Sequence, residues 1–210
     1  MKLWLEAHFL FALLFVSSSA LTPECEELVK PLSLNDHSKM YGRRNLLLGY
    51  VDHDGFRTLV KEYDSYWMNI TASPFGEDHL LMSQGNRING TCFSSELNVT
   101  LEGNTARIEL PGYSGDYQVL SSCDGCLLLS VNITLADLQK VLEGLRVEAT
   151  VDSGEATAHG LYLMGKETTV TDSDLEHFKK QAHCLGFSGE PDFHYNPEKD
   201  FCQEGEGIRI

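Results

Sequence analysis

The chain reads as an all-β protein with one C-terminal helix: an eight-stranded up-and-down antiparallel barrel with the helix packed outside it. Three features of the sequence predict this. Short apolar or alternating runs succeed one another with turn signals between them, the pattern of a strand meander. One well-specified helix stands late in the chain, between the run Leu161-Tyr162-Leu163-Met164 and Cys202. Cysteines near both ends and within the strand region supply staples.

From the N-terminus, Lys2, the apolar run Phe9 to Val16 and Ser17-Ser18-Ser19-Ala20 have the layout of a secretory signal peptide over residues 1–20, with cleavage after Ala20. That run is too short to cross a bilayer, and no later segment reaches the ~20 apolar residues a span needs. Residues 21–202 are expected to form one barrel domain, being long enough for one sizeable core and short for two. Residues 203–210 are expected to form an acidic tail.

The predicted strands are Asn45–Tyr50, Ser65–Thr71, His79–Gln84, Thr91–Leu101, Ala106–Leu110, Asp116–Ser122, Cys126–Ile133 and Gly160–Lys166. Ser73-Pro74-Phe75-Gly76, Asn89-Gly90, Gly103-Asn104, Pro111-Gly112 and Asp124-Gly125 break them, and Asn-Gly and Asp-Gly are strong hairpin signals. Closing eight such strands removes sheet edges. Leu135 to Leu145, with Leu138, Val141 and Leu142 and a cap at Thr134, reads as an amphipathic helix between the last two strands. The alternative is a strand continuing through Leu145 to Ala149. In the late helix, Ser173 to Glu176 forms a capping box, Leu175, Phe178, Ala182 and Leu185 recur at helical spacing, and Gly186 stops it.

Composition narrows function. A formal net charge of −15 opposes nucleic acid, which needs a basic surface, and suits a solvated acidic protein. The chain carries no G-x-S-x-G, H-E-x-x-H, P-loop or G-x-G-x-x-G, so no catalytic residue, metal site or cofactor is assigned. Four N-x-T sequons, at Asn69, Asn89, Asn98 and Asn132, behind a signal-type segment point to glycosylation.

A used sequon must face water, and the period of two then sets the phase of its strand. With Asn69 outside, Tyr66, Met68 and Ile70 face in. With Asn98 outside, Phe93, Leu97 and Val99 face in and Cys92 faces out. With Asn132 outside, Leu127, Leu129 and Val131 face in, leaving Leu128 and Ser130 outside. In the last strand Leu161 and Leu163 serve the helix, and Tyr162 and Met164 face in. Such an inner set suits a ligand cavity, and it equally suits a barrel filled by its own side chains.

Several pieces, in this order and spacing, carry a family likeness: Cys25-Glu-Glu-Leu-Val, Lys61-Glu-Tyr, Cys92, Gly160-Leu-Tyr-Leu-Met, Asp174-Leu-Glu-His-Phe, Cys184-Leu, Tyr195 to Lys199 and Cys202. In them the chain resembles the lipocalins (calycin fold), and among these the alpha-1-acid glycoprotein (orosomucoid) and apolipoprotein M group. The nearest likeness is to its fish plasma branch, which includes tributyltin-binding and saxitoxin/tetrodotoxin-binding proteins. Where lipocalins have G-x-W at the start of the first strand, this chain has Gly42-Arg43-Arg44, so the barrel floor must pack differently.

The resemblance implies a cavity, with Tyr66, Met68, Phe93, Leu97, Leu127, Leu129, Val131, Tyr162 and Met164 as its ligand-binding residues. It also implies the disulfides Cys25–Cys184 and Cys92–Cys202. Cys123-Asp-Gly-Cys126 remains: a local disulfide clamping a turn, or a redox C-x-x-C, whose usual setting at the start of a helix in a βαβ unit is missing. The function implied is a secreted, extracellular plasma carrier, monomeric, for a small hydrophobic or amphipathic ligand. The alternatives are an acute-phase or immunomodulatory glycoprotein acting through surface or glycan contacts, and a lipocalin-type enzyme, which would need an unpaired cysteine in the cavity.

Overall fold

The computed structural model describes residues 21–152 and 154–210, so the signal segment expected at 1–20 lies outside the described residues. All eight predicted strands form: β1 (Gly42–Val51), β2 (Tyr63–Ala72), β3 (His79–Ile88), β4 (Thr91–Glu102), β5 (Thr105–Leu110), β6 (Tyr113–Leu120), β7 (Leu127–Leu135) and β8 (Ala156–Gly165). Each pairs antiparallel with the next and β8 returns to β1, so the sheet closes into an up-and-down barrel. Pairing lengthens several strands beyond their apolar runs. Thus β3 continues to Ile88 because β2 offers it a ladder as far as Tyr63. The β3–β4 turn has both central residues at positive φ, Asn89 at 47° and Gly90 at 75°, as a two-residue hairpin turn of the primed type requires.

Antiparallel alternation puts the β1–β2, β3–β4, β5–β6 and β7–β8 connections at one end, the roof. The roof carries two short helices, α2 (Asp54–Lys61) and α3 (Leu138–Gly144), preceded in the chain by α1 (Pro23–Leu28). The predicted helix after β7 is therefore present and the alternative strand is not. Its cap is Asp137, which accepts from Lys140 N, and not Thr134, which stays in β7 and bonds Thr157 across the ladder. Helix α2 stands in a segment to which the sequence assigned no element. It buries Phe56, Leu59 and Val60 on one face, and its cap is His53, a residue type outside the usual capping set.

A 3₁₀ turn, His37–Met40, closes the other end, the floor. Arg44 lies beneath it, 4% exposed, and donates to Lys39 O (2.8 Å), Met40 O (2.8 Å), Tyr41 O (3.1 Å) and Gly125 O (3.4 Å). Burial pulls its pKa below the usual guanidinium value. Its neighbour Arg43 points outward and lies over the Trp67 ring, 4.3 Å from the centroid. The floor thus packs differently, as Gly42-Arg43-Arg44 predicted: a guanidinium bonds the carbonyls of the closing turn.

Outside the barrel lies α4 (Asp172–Cys184). Its cap is Thr171, two residues before the predicted capping box. The Thr171 hydroxyl accepts from Asp174 N and donates to the Asp174 carboxylate. Phe178 and Ala182 bury against Leu48, Leu128, Leu161 and Leu163 in a second, outer core. A bulge between Leu46 and Leu48 turns both Leu47 and Leu48 outward to reach it. Tyr50 stacks on Phe178 and Phe187 in the same layer, and Ser130, outside as expected, is buried there and bonded to His159.

Three disulfides join Cys25–Cys184, Cys92–Cys202 and Cys123–Cys126, and no cysteine is free among the described residues. The implied pairings and the turn clamp are thus all present. A cluster of Cys92, Cys202 and Glu206 offers no metal site, since both sulfurs are in the disulfide. The segment after α4 is part of the barrel. Strand β9 (Phe193–His194) pairs with β1, and β10 (Ile208–Arg209) pairs parallel with β4. The residues expected as a separate acidic tail, 203–210, therefore end as a strand, because β4 has an unpaired edge there for them to fill.

Replacing Arg44 by Met keeps the volume and leaves the floor carbonyls without a donor. Orphaning buried acceptors costs about 1–3 kcal/mol each, and partial relaxation puts the expected loss at about 2–4 kcal/mol in urea unfolding. Arg44→Lys should restore little, because a point charge cannot reach several carbonyls at once. An unchanged midpoint in Arg44→Met would show that the guanidinium does not hold the floor.

Candidate functional site

The inner faces of the strands leave a cavity of about 420 Å³. Its wall begins with the period of two. On β2, Tyr66, Met68 and Ile70 point inward; on β3, Leu80, Met82, Gln84 and Asn86; on β4, Ser95, Leu97 and Val99. The roof helices add Phe56, Leu59 and Val60 from α2 and Val141 from α3, with Leu145 at the C-cap of α3. Among the described residues, no Asp, Glu, Lys, Arg or His side chain lines it. Affinity inside such a wall comes from apolar burial, with a few polar groups fixing orientation.

Those groups are mostly phenols. Five of the eight tyrosines line the cavity: Tyr63, Tyr66, Tyr113, Tyr117 and Tyr162. The Tyr63 and Tyr66 rings stack with centroids 6.5 Å apart. Tyr66 donates to Gln84 Oε1 (2.9 Å), and Gln84 Nε2 donates to Ser95 Oγ (2.7 Å). The Tyr113 and Tyr117 hydroxyls bond to each other. Inward glycines make room for the rings. A Cβ at Gly49 would stand 3.0 Å from the Tyr162 ring, and one at Gly160 2.6 Å from it. Burial pushes the Tyr63 phenol up to about 12, with Tyr113 adding to the effect. Burial also raises Tyr66, Tyr113, Tyr117 and Tyr162.

Of the nine residues expected to contact ligand, seven stand on this wall: Tyr66, Met68, Leu97, Leu129, Val131, Tyr162 and Met164. Phe93 and Leu127 do not, and this corrects the expectation. Both face inward, but phase gives the side of a strand and not which inward side chains border the open space. Phe93, beside Asn86, and Leu127, beside Met164, are buried in the inner core and do not border the space that those neighbours line. Sequence reasoning missed Tyr63, Tyr113 and Tyr117. The signal was available for β6: Asn132 faces Asp116 across the ladder, so Gly115 and Tyr117 must face in. Of the sequon asparagines, Asn89, Asn98 and Asn132 are exposed, while Asn69 lies on the outer face but is half-buried beside Arg43 and Ser83.

No family model matches the chain, and no curated protein matches it in sequence. Solved structures match in fold. Siderocalin Q83 aligns with a TM-score of 0.53 at 16% identity, over 74% of this chain and 87% of its own. The siderocalin Ex-FABP gives 0.52 at 16%, over 71% and 89%. The bovine lipocalin allergen Bos d 2 gives 0.51 at 17%, over 72% and 88%. The fold is that of the lipocalins.

The raised phenols fix an alkaline limit. Unfolded tyrosines ionise near pH 10, while the cavity phenols stay protonated, Tyr63 to about 12. The native state then holds more protons than the unfolded one, so stability falls as pH rises through that window. Ultraviolet titration of tyrosinate should show the cavity phenols ionising only with unfolding. A melting temperature unchanged between pH 10 and 12, with early tyrosinate absorbance, would mean that the phenols are open to bulk water.

Proposed function

We propose that this chain is a secreted, glycosylated lipocalin-type carrier, monomeric in plasma, that holds one small and mostly hydrophobic molecule, a lipid or a xenobiotic such as a toxin, inside its barrel. The observation that carries this reading is a cavity of about 420 Å³ enclosed by the barrel and lined without a single charged side chain. A core meant only for stability would be filled; an apolar space with a few phenols, one amide pair and one serine suits a ligand. Seven of the expected contacts, Tyr66, Met68, Leu97, Leu129, Val131, Tyr162 and Met164, are taken as ligand-binding, and Tyr63, Tyr113 and Tyr117 join them.

Support for secretion comes from the signal-type N-terminus and from three disulfides, which persist in oxidising compartments. The sequon asparagines face outward, which suits glycans at Asn69, Asn89, Asn98 and Asn132. No helix among the described residues is long and apolar enough to cross a membrane. The quoted sequence pieces favour kinship with the orosomucoid and apolipoprotein M group and its fish plasma branch. Among the structural neighbours, the siderocalins are described by dual ligand binding and another, OBP1, as an odorant-binding protein. An enzyme reading loses its nucleophile, since all six cysteines are paired.

The neutral fluorophore N-phenyl-1-naphthylamine should bind with about one site per monomer. Leu129→Trp, inside the cavity, should weaken binding on the order of tenfold or more while costing about 1–3 kcal/mol of stability. Gln118→Trp, exposed on the outer face of β6, should leave binding unchanged. Equal loss in both variants, or no binding by the parent, would remove the carrier reading and leave surface or glycan contacts as the active feature.

A further inference from the structure

Helices α2 and α3 close their part of the roof firmly. Helices α2 and α3 pack tightly enough that a Cβ on Gly55 would stand 2.7 Å from the Leu138 side chain. Phe56, Leu59, Val60, Leu138 and Leu142 are all buried. Arg57 clamps α2 to the body: its Nε donates to the half-shielded Asp192 carboxylate (2.8 Å), and its Nη2 to Val51 O (2.9 Å).

The side of the barrel is different. The β4–β5 ladder has only three residue pairs, Thr100–Arg107, Leu101–Ala106 and Glu102–Thr105. Above it β4 and β5 part, and β10 takes the free edge of β4, with Ile208 beside Phe93 and Arg209 beside Ser94. Ile210 N donates to Ser94 O (3.0 Å), and the Ile210 side chain lines the cavity. The cavity-wall residues that are exposed are Leu110, Pro111, Gly112 and Ile210, all at this one place. So the cavity meets solvent between the β5–β6 turn and the strap formed by residues 203–210.

The strap is anchored covalently at its start. Cys202 is bonded to Cys92 on β4, and the chain then turns at Gly205 and Gly207, whose φ are 71° and 86°. Gly207 passes so close to β4 that a Cβ there would stand 2.0 Å from Cys92 O, a close approach open to glycine alone. Beyond it, a short two-residue ladder and two exposed isoleucines hold the strap, with Ile208 at 37% and Ile210 at 57% exposure. Segments with few buried contacts and exposed hydrogen bonds open at the lowest free energy.

We propose that ligand enters and leaves through the wall between β4 and β5, and that residues 207–210 are the gate, swinging on the Cys92–Cys202 anchor while the α2–α3 roof stays shut. This rests on the carrier reading of the cavity. It predicts where an extended ligand would protrude: past Ile210 and Leu110, with any polar end toward solvent.

The test separates the two ideas. Equilibrium titration with N-phenyl-1-naphthylamine decides the carrier reading, and stopped-flow exchange of the same probe decides the gate. Two variants open the strap, one lacking residues 207–210 and one, of full length, carrying Ile208→Ser with Ile210→Ser. One variant, Arg57→Ala, loosens the roof. Both strap variants should speed association and release together, on the order of tenfold, with Kd changed far less than either rate. Arg57→Ala should keep the parent rates. Faster exchange in Arg57→Ala alone would place the route at the roof and overturn the gate. Unchanged rates in both strap variants, or equal acceleration in all three, would overturn it as well. A parent that binds no probe would instead remove the carrier reading beneath it.

Discussion

A barrel can enclose anything only if its wall is complete, and here two of the ladders that close it are short. β1 and β2 share four residue pairs, and β4 and β5 three. Each gap leaves a run of backbone donors and acceptors that must find partners or meet water. The segment after α4 meets both needs. It pairs with β1 through β9, then runs beside β2, where Ser65 donates to Asp200 O, Trp67 Nε1 to Cys202 O, and Lys199 pairs with Asp64. It crosses to β4 through Cys92–Cys202 and ends as β10 on the remaining edge. One stretch of about twenty residues thus completes the wall at both weak places. The disulfide is the hinge between the two repairs.

Completing the wall does not by itself leave room inside. Room is left because part of the stability is placed elsewhere. β1, β7 and β8 are apolar on both faces, so α4 packs an outer core that does not draw on the cavity residues. The bulge in β1 sends two leucines in succession to that outer layer. At the floor, Arg44 does with hydrogen bonds what a large apolar side chain would do by volume. A buried cation is costly unless nearly every donor is used, and four carbonyls take this one.

This division explains which parts of the fold could be read from the sequence. The strands were legible because turn residues punctuate them, and α3 and α4 because their apolar residues recur at 3.6. The two long-range disulfides came with the family resemblance, and only the Cys123–Cys126 turn clamp could be read from the residues. Helix α2 was hidden by an unusual His53 cap and by its length, although Phe56, Leu59 and Val60 carry a short helical period. β9 and β10 were illegible, because two-residue strands exist only where another strand leaves an edge open. In the cavity, sequons fixed phase on three strands, and they placed Tyr66, Met68, Leu97, Leu129 and Val131 on the wall. Which inward side chains border the open space has no local signal, so Phe93 and Leu127 were placed on the right side although they are buried beside the wall residues Asn86 and Met164. Tyr113 and Tyr117 needed the β6–β7 register, which pairing settles and composition does not.

The tyrosine lining also says what kind of selectivity this cavity can have. Its surface charge is strongly negative, yet no charge reaches the interior, so charge acts on approach and not on fit. Inside, two hydrogen-bond networks are self-satisfied, Tyr66 with Gln84 and Ser95, and Tyr113 with Tyr117. An apolar ligand can leave them intact and strand no polar group. Among the described residues, the Tyr63 and Tyr162 hydroxyls belong to neither network, and a phenol can donate or accept. A ligand with one polar group can therefore use them whichever role that group needs, for about 0.5–1.5 kcal/mol per bond. Apolar area, at roughly 25 cal/mol per Å², outweighs that within a few buried carbons. Selection in such a site follows shape and size first and polarity second, which is how one barrel serves a class of ligands rather than a single compound.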